Sequence, residues 1–172
     1  MFEEIRGYIR DVPDFPKPGI MFKDITPLLQ DKKMFRQVID FMAERYMDKR
    51  IEKVVGIDAR GFIFAGALAY TIGAGMIPVR KEKKLPHETL KEMYELEYGT
   101  DVVEIHKDAL RKGERVVVID DLLATGGTLS ATCQLVKKLE AEIVEVITLI
   151  ELEFLSGRKK LEKYPYYSMI QY

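Results

Sequence analysis

The 172-residue chain has no tryptophan, one cysteine and two histidines, and its charges almost cancel. Each shortage removes a class of function. A lone cysteine, Cys133, cannot build an internal disulfide framework and suits a reducing compartment. Its spacing from Leu129 and Val136 is that of a helix's apolar face, so it reads as core packing rather than as a nucleophile. His87 and His106 are isolated, without His, Cys or acidic partners at metal-ligand spacing, which argues against a protein-held zinc. With 27 basic against 28 acidic residues the net charge is −1. Such a balance supplies no field for nucleic acid or an anionic membrane, so any anion site must be local. The start, Met1-Phe2-Glu3-Glu4-Ile5-Arg6, lacks a basic segment followed by an apolar run; no secretory signal is expected, and a cytoplasmic location is.

One stretch invites a membrane reading: nothing between Arg60 and Arg80 is charged, a gap close to the roughly 20 residues of a bilayer span. Gly61, Gly66, Gly73, Gly75 and Pro78 break it into helix, turn and strand, so a buried βαβ segment is expected instead. The length suits one domain, residues 1–172, with a sizeable core. Phe35, Val38, Met42 and Tyr46 recur at helical spacing up to about Asp48. Strands are expected over 53–57, 75–79, 102–105, 115–119 and 143–150, and helices over 61–70 and 128–139. That alternation belongs to an α/β domain with a mainly parallel sheet flanked by helices. Asp14-Phe15-Pro16-Lys17-Pro18-Gly19 reads as an extended, proline-stiffened loop. The stretch 80–96 is charged, carries Pro86 and has no clean period, so it reads as a mobile excursion with some strand character. The aromatic-rich end, 164–172, fits either a late edge strand or an interface patch.

The most informative stretch is Val116-Val117-Val118-Ile119-Asp120-Asp121-Leu122-Leu123-Ala124-Thr125-Gly126-Gly127-Thr128. A β-branched run suits a strand buried on both faces, and open α/β sheets bind ligands at the carboxyl ends of such strands. Asp120 and Asp121 fall at that end. In the loop that follows, Gly126 and Gly127 let backbone N–H groups approach an anion, and a helix starting nearby adds its positive dipole end. Carboxylates are poor phosphate partners but suit the two hydroxyls of a ribose, or Mg²⁺ reached through water. Absence of lysine after the glycines excludes a nucleotide-hydrolase phosphate loop. Acids that precede the glycines reverse the order of a dinucleotide fingerprint.

Residues 116–128 resemble the phosphoribosyl-pyrophosphate motif of the type I phosphoribosyltransferases. Further segments resemble, in order, the adenine phosphoribosyltransferases of that family: Asp14-Phe15-Pro16-Lys17-Pro18-Gly19-Ile20, Phe22-Lys23-Asp24-Ile25-Thr26-Pro27, Gly56-Ile57-Asp58-Ala59-Arg60-Gly61-Phe62 and Leu96-Glu97-Tyr98-Gly99-Thr100. The similarity spans nearly the whole chain. It implies the type I fold, a mainly parallel twisted sheet with a mobile lid loop (about 81–100) and a small base-binding hood (about 11–30 and 151–172). It also implies the reaction of adenine with phosphoribosyl pyrophosphate to give AMP and pyrophosphate, with Mg²⁺, in a homodimer, without nucleic-acid or membrane partners.

The resemblance distributes roles. Ala124, Thr125, Gly126, Gly127 and Thr128 match the loop that holds the ribose 5-phosphate, and Asp120 and Asp121 the acids facing the ribose. Ala59 and Arg60 match a second anion loop that meets the pyrophosphate; by itself Arg60 is explained equally well by a surface salt bridge. Arg80, Lys81 and Lys84 match pyrophosphate-binding positions, whereas Lys83 has no match and is left as surface. Guanidinium forks and mobile ammonium groups suit an ion whose charge grows as it leaves. Glu97 and Tyr98 match the lid, with Glu97 the candidate general acid/base for proton traffic on the purine. Mg²⁺ would arrive with pyrophosphate and ribose oxygens, with Asp120 and Asp121 able to reach it through water. Met21, Phe22 and Lys23 match the adenine site, with Leu152 on its opposite wall, although Phe22 serves equally well as core. Close relatives in the family commonly carry Arg where Lys23 stands, which puts a bidentate or stacked contact there in question. Two other functions share much of this pattern: transfer to xanthine or another 6-oxopurine, and a regulator that senses phosphoribosyl pyrophosphate. The base wall separates the first. The second lacks support, since neither an added DNA-binding module nor basic net charge is evident.

Overall fold

The computed structural model describes residues 1–96 and 99–172. At the start of the chain, helix α1 (Phe2–Arg6) precedes strands β1 (Arg10–Pro13) and β2 (Met21–Asp24), which form a separate two-stranded antiparallel sheet. Helices α2 (Thr26–Gln30) and α3 (Lys32–Tyr46) follow. The Asp31 side chain starts α3 by accepting from the N–H groups of Lys33 and Met34, satisfying two donors of its first turn.

The chain then alternates: β3 (Lys53–Ile57), α4 (Gly61–Ile72), β4 (Gly75–Lys81), β5 (Thr89–Glu95), β6 (Thr100–His106), β7 (Arg115–Leu123), α5 (Gly127–Lys138), β8 (Glu142–Glu151) and β9 (Tyr166–Gln171). Seven strands form one sheet in the order β5-β6-β4-β3-β7-β8-β9. β4, β3, β7, β8 and β9 run parallel, and β6 joins β4 antiparallel. Strand order reverses at β3: β4 lies on one side, and the chain returns to the other side as β7. Such a switch point leaves a crevice beyond the strand ends, where ligands of open α/β sheets bind. Alternation along β7 feeds two cores. Val117 and Ile119 pack with α3 and α4, and Val116 and Val118 with α5. Away from the crevice, buried Glu145 of β8 accepts from Arg45 Nε at 2.5 Å and from the Tyr46 hydroxyl at 2.7 Å, fastening α3 to the sheet.

The expected elements are present with shifted ends, and one region carries more strand than expected. Most of 80–96 is paired. β5 and β6 form an antiparallel ladder from Thr89↔His106 to Glu95↔Thr100, and Arg80 and Lys81 belong to β4 rather than to a turn after it. The reason is a half-buried alternation masked by charge: Leu90 and Tyr94 turn inward while Lys91, Met93 and Glu95 face out. Buried Glu104 neutralises Lys91 directly across the ladder at 3.0 Å. The aromatic-rich end is an edge strand, β9.

Two short 3₁₀ turns, Glu153–Leu155 and Gly157–Leu161, connect β8 to β9. The second presses on the loop after β7. A Cβ on Gly126 (φ +79°) would come 2.5 Å from the Gly157 carbonyl oxygen, and one on Gly157 would collide with the Ala124 carbonyl oxygen. Two backbones distant in sequence therefore touch because neither residue has a side chain. Gly157→Ala is expected to destabilise the protein by about 1–3 kcal/mol through overpacking against rigid backbone, measured by urea unfolding. Unchanged stability would mean that the 124–126 loop yields freely.

Candidate active site

The crevice is a cleft of about 470 Å³ lined by the ends of β3, β4 and β7 and by the β5–β6 hairpin. Parallel register sets Gly56 of β3 beside Ile119 of β7, so Asp58, Ala59 and Arg60 emerge next to Asp120 and Asp121. Asp121 is buried and Asp120 half-buried. Burial, and then the charge of Asp121, push the Asp120 carboxyl well above the ordinary carboxylate range. Burial also raises Asp121, partly offset by the Arg60 charge. Arg60 Nε lies 2.9 Å from Asp121 Oδ2, out of line for a hydrogen bond; that oxygen accepts none among the described residues. The contact is therefore an ion pair with acceptor capacity to spare. Asp120 Oδ1 accepts the N–H of Asp121 at 2.9 Å. A Cβ on Gly61 would meet the same oxygen at 2.8 Å, so glycine at the start of α4 is what lets that helix end approach the acid.

Beyond Asp121, residues 124–128 curl around a separate hollow of about 80 Å³. Gly126 takes the left-handed conformation at the N-cap of α5, and the helix starts at Gly127. The amides at that end have no intrahelical acceptor and face outward, which suits a phosphate group. Ala124, Thr125, Gly126, Gly127 and Thr128 thus come together as expected, with Thr128 also on the wall of the larger cleft.

Arg60, Arg80 and Lys81 all reach the larger cleft, each against an acid. Arg80 Nε donates to Asp58 Oδ2 at 2.8 Å, and Lys81 Nζ to Asp101 Oδ2 at 2.6 Å. Lys84 does not line the cleft; its carbonyl oxygen accepts from Arg80 at 3.1 Å. Lys83 is at the surface, and its backbone N–H, in a left-handed turn, donates to buried Glu104 at 3.1 Å. Asp101 and Tyr94 escaped the sequence reading. Their signal was the alternation of the hairpin, which turns Tyr94 inward, but nothing local indicated that the hairpin folds back over the strand ends. Glu97 and Tyr98 lie outside the described residues.

The hood residues divide. Phe22 packs edge-on against Phe15 at 5.0 Å, and the Arg60 guanidinium lies 4.9 Å from its ring, tying β2 to the acid pair. Met21 is exposed, and Leu152 is buried, its N–H donating to the Leu123 carbonyl. Lys23 turns away from the cleft. Its ammonium pairs with Asp11 at 2.5 Å across the β1–β2 ladder and sits 3.7 Å from the Tyr172 ring centre. Cys133 is buried, its thiol pushed up to about 12 by desolvation, as expected of a packing residue. Among the described residues no cluster of His, Cys, Asp and Glu could hold a metal by itself, and no helix is long and apolar enough to cross a membrane.

A parallel-sheet switch point with an acid pair, a glycine loop and convergent cations defines a site for a phosphorylated sugar. The family model described as phosphoribosyl transferase domain matches residues 24–171. An adenine phosphoribosyltransferase from Roseiflexus sp. (strain RS-1) is 57% identical over 172 residues, covering 100% of both chains. The adenine phosphoribosyltransferase structure from Thermoanaerobacter pseudethanolicus superposes with a TM-score of 0.97 at 52% identity, again covering 100% of each chain. That of Saccharomyces cerevisiae, complexed with D-2,5-dideoxy-2,5-imino-altritol 1,6-bisphosphate and adenine, reaches 0.93 at 39% identity over 98% of this chain and 97% of its own. The chain belongs to the adenine phosphoribosyltransferase family, with the type I phosphoribosyltransferase fold.

The raised Asp120 pKa has a consequence for stability. Because the folded-state value exceeds the unfolded one, the folded form binds more protons between the two, and stability falls as pH rises through that window. Asp120→Asn retains an acceptor for the Asp121 N–H and removes the penalty. The ligand-free variant is expected to melt higher than the parent, by a margin that grows as pH rises above the ordinary carboxylate range, as read by thermal melts across pH. A lower melting point at neutral pH would contradict the desolvation argument.

Proposed function

We propose that this chain transfers the 5-phosphoribosyl group of phosphoribosyl pyrophosphate to adenine, forming AMP and pyrophosphate, a purine-salvage reaction. The observation that carries the reading is the convergence of the acid pair and three cations in one cleft, beside the hollow of the glycine loop, in a chain related over its full length to adenine phosphoribosyltransferases. Those relatives do not favour a 6-oxopurine substrate or a sensor role.

In this reading, residues 124–128 hold the ribose 5-phosphate through outward amides and the Thr125 and Thr128 hydroxyls. Asp120 and Asp121 accept from the ribose hydroxyls, a role suited to Asp121's spare acceptor oxygen. Ala59, Arg60, Arg80 and Lys81 face the pyrophosphate; Lys84 reaches it by extending from the turn in which its carbonyl now serves Arg80. As N9 of adenine bonds to C1, the C1–O bond breaks and its electron pair leaves with pyrophosphate. Arginine and lysine beside that oxygen stabilise the growing charge. Met21, Phe22 and Leu152 bound the base. Lys23, committed to Asp11 and Tyr172, contributes backbone and rigidity instead of its ammonium. Glu97 is the proton donor or acceptor for the purine, and Tyr98 helps exclude water.

Oxygen donors at Asp120 and Asp121 fit Mg²⁺ better than softer metals. With no protein cage among the described residues, the ion would share substrate oxygens and water. When bound, it neutralises part of the pyrophosphate charge. The chain acts as one domain in the cytoplasm, with hood segments 11–30 and 151–172 and a lid at 81–100. It forms a homodimer. Helix α4 is apolar on its outer side as well, with Ile63 and Tyr70 exposed, which favours that side as the contact.

The test is pyrophosphate release with phosphoribosyl pyrophosphate, Mg²⁺ and adenine, hypoxanthine, guanine or xanthine in parallel. Turnover is expected with adenine and should vanish with a chelator; none with adenine would sink the proposal. Asp121→Ala should raise the KM for phosphoribosyl pyrophosphate while leaving that for adenine nearly unchanged. Glu97→Gln should lower kcat by about 100-fold, the low end for a lost general acid/base, with little change in KM. A kcat equal to that of the parent would remove Glu97 from the chemistry.

A further inference from the structure

The cations of the cleft are already neutralised by the protein's own acids: Arg60 by Asp121, Arg80 by Asp58, Lys81 by Asp101. The first two acids stand at the ends of central strands. Asp101 differs, because it is carried by β6, in the hairpin folded over the cleft. Its Oδ2 accepts from Lys81 Nζ at 2.6 Å and from the Tyr94 hydroxyl at 3.2 Å, while its Oδ1 accepts the Val102 N–H at 2.8 Å. Tyr94 and Thr128 both line the larger cleft. The Tyr94 ring fills the space left by the missing side chain of Gly127, where a Cβ would meet it at 2.9 Å. A polar chain Lys81–Asp101–Tyr94 thus leads from the basic end of the cleft to a ring packed on the glycine loop.

A carboxylate and a phosphate oxygen are alternative acceptors for the same ammonium, and two anions on one lysine repel each other. We propose that Asp101 is a positioning residue that competes with pyrophosphate for Lys81, weakening retention of the pyrophosphate product and recovering Lys81 as it departs. The inference rests on the reading of Lys81 as a pyrophosphate contact given above. Asp101 acts through Lys81 and need not touch the reacting atoms. The Lys81 side chain is 65% exposed, so the competition is screened and its effect modest.

Asp101→Asn tests this, because it retains an acceptor for the Val102 N–H while removing the charge. Its dissociation constant for magnesium pyrophosphate, by titration calorimetry, is expected to fall about two- to fivefold, the range of a solvent-exposed ion pair. The inhibition constant of pyrophosphate against phosphoribosyl pyrophosphate should fall in step, with the KM for adenine unmoved. Asp101→Glu, with the charge restored, should return the constant toward that of the parent. Pyrophosphate binding that is unchanged or weaker in Asp101→Asn overturns the inference, as does Asp101→Glu binding as tightly as Asp101→Asn. A hairpin that had merely loosened would weaken pyrophosphate binding, the opposite sign. If the parent protein neither turns over adenine nor binds pyrophosphate, the proposed function itself fails; if it does both while Asp101→Asn leaves binding unmoved, only the role of Asp101 fails.

Discussion

Two adjacent carboxylates held largely out of water, Asp120 and Asp121, are the constraint around which the rest of the cleft is arranged. Neighbouring like charges in a poorly solvated place are costly, and the structure meets that cost from several directions. Arg60 pairs with Asp121 from the end of β3. The N-terminal end of α4 comes close to Asp120 because Gly61 offers no Cβ to hold it off. Arg60 also lies over Phe22, so the residue that neutralises the acids links them to the hood. An acid pair partly compensated in this way, with one carboxylate oxygen that accepts no hydrogen bond among the described residues, is ready to accept hydroxyls or to share a divalent cation.

The same logic extends across the cleft. Three cations each meet an acid of the protein, so their charges are compensated and their long side chains are held in defined positions. Under the proposed function, a polyanionic substrate exchanges partners instead of ordering loose side chains, and the entropic cost of fixing them is already met by folding. The loop at 124–128 offers backbone instead, and its conformation is supported from behind by Gly157. That support is fastened in turn. Arg158, next to Gly157, forms a two-pronged ion pair with buried Glu151 at the end of β8 and lies over Tyr166 of β9.

Much of this was legible in the chain. The β-branched run of β7, the acids at its end and the glycines after it predicted a ribose-phosphate site, because strand burial, strand-end ligand binding and glycine's freedom are local or nearly local rules. The division of 61–79 into helix, turn and strand is legible for the same kind of reason. The β5–β6 hairpin was harder to read, since charged residues such as Lys91 and Glu104 obscure the alternation until they face each other across the ladder. Lys23 illustrates the converse. Its position was evident, but whether its ammonium faces base or core depended on Asp11 and Tyr172, brought to it by strand pairing and by the far end of the chain.

By itself, then, the sequence determined the fold class, the order of strand, acid pair and glycine loop, and the kind of ligand that order suits, because each depends on short-range periodicity or on the intrinsic chemistry of neighbouring residues. Only the tertiary structure decided which acid meets which cation: Arg60 with Asp121, Arg80 with Asp58, Lys81 with Asp101. It alone brought Gly126 against Gly157 and Tyr94 against Gly127. These contacts follow from the reversal of strand order at β3 and from the hairpin folding over the strand ends, which join residues far apart in sequence by packing rather than by any pattern along the chain.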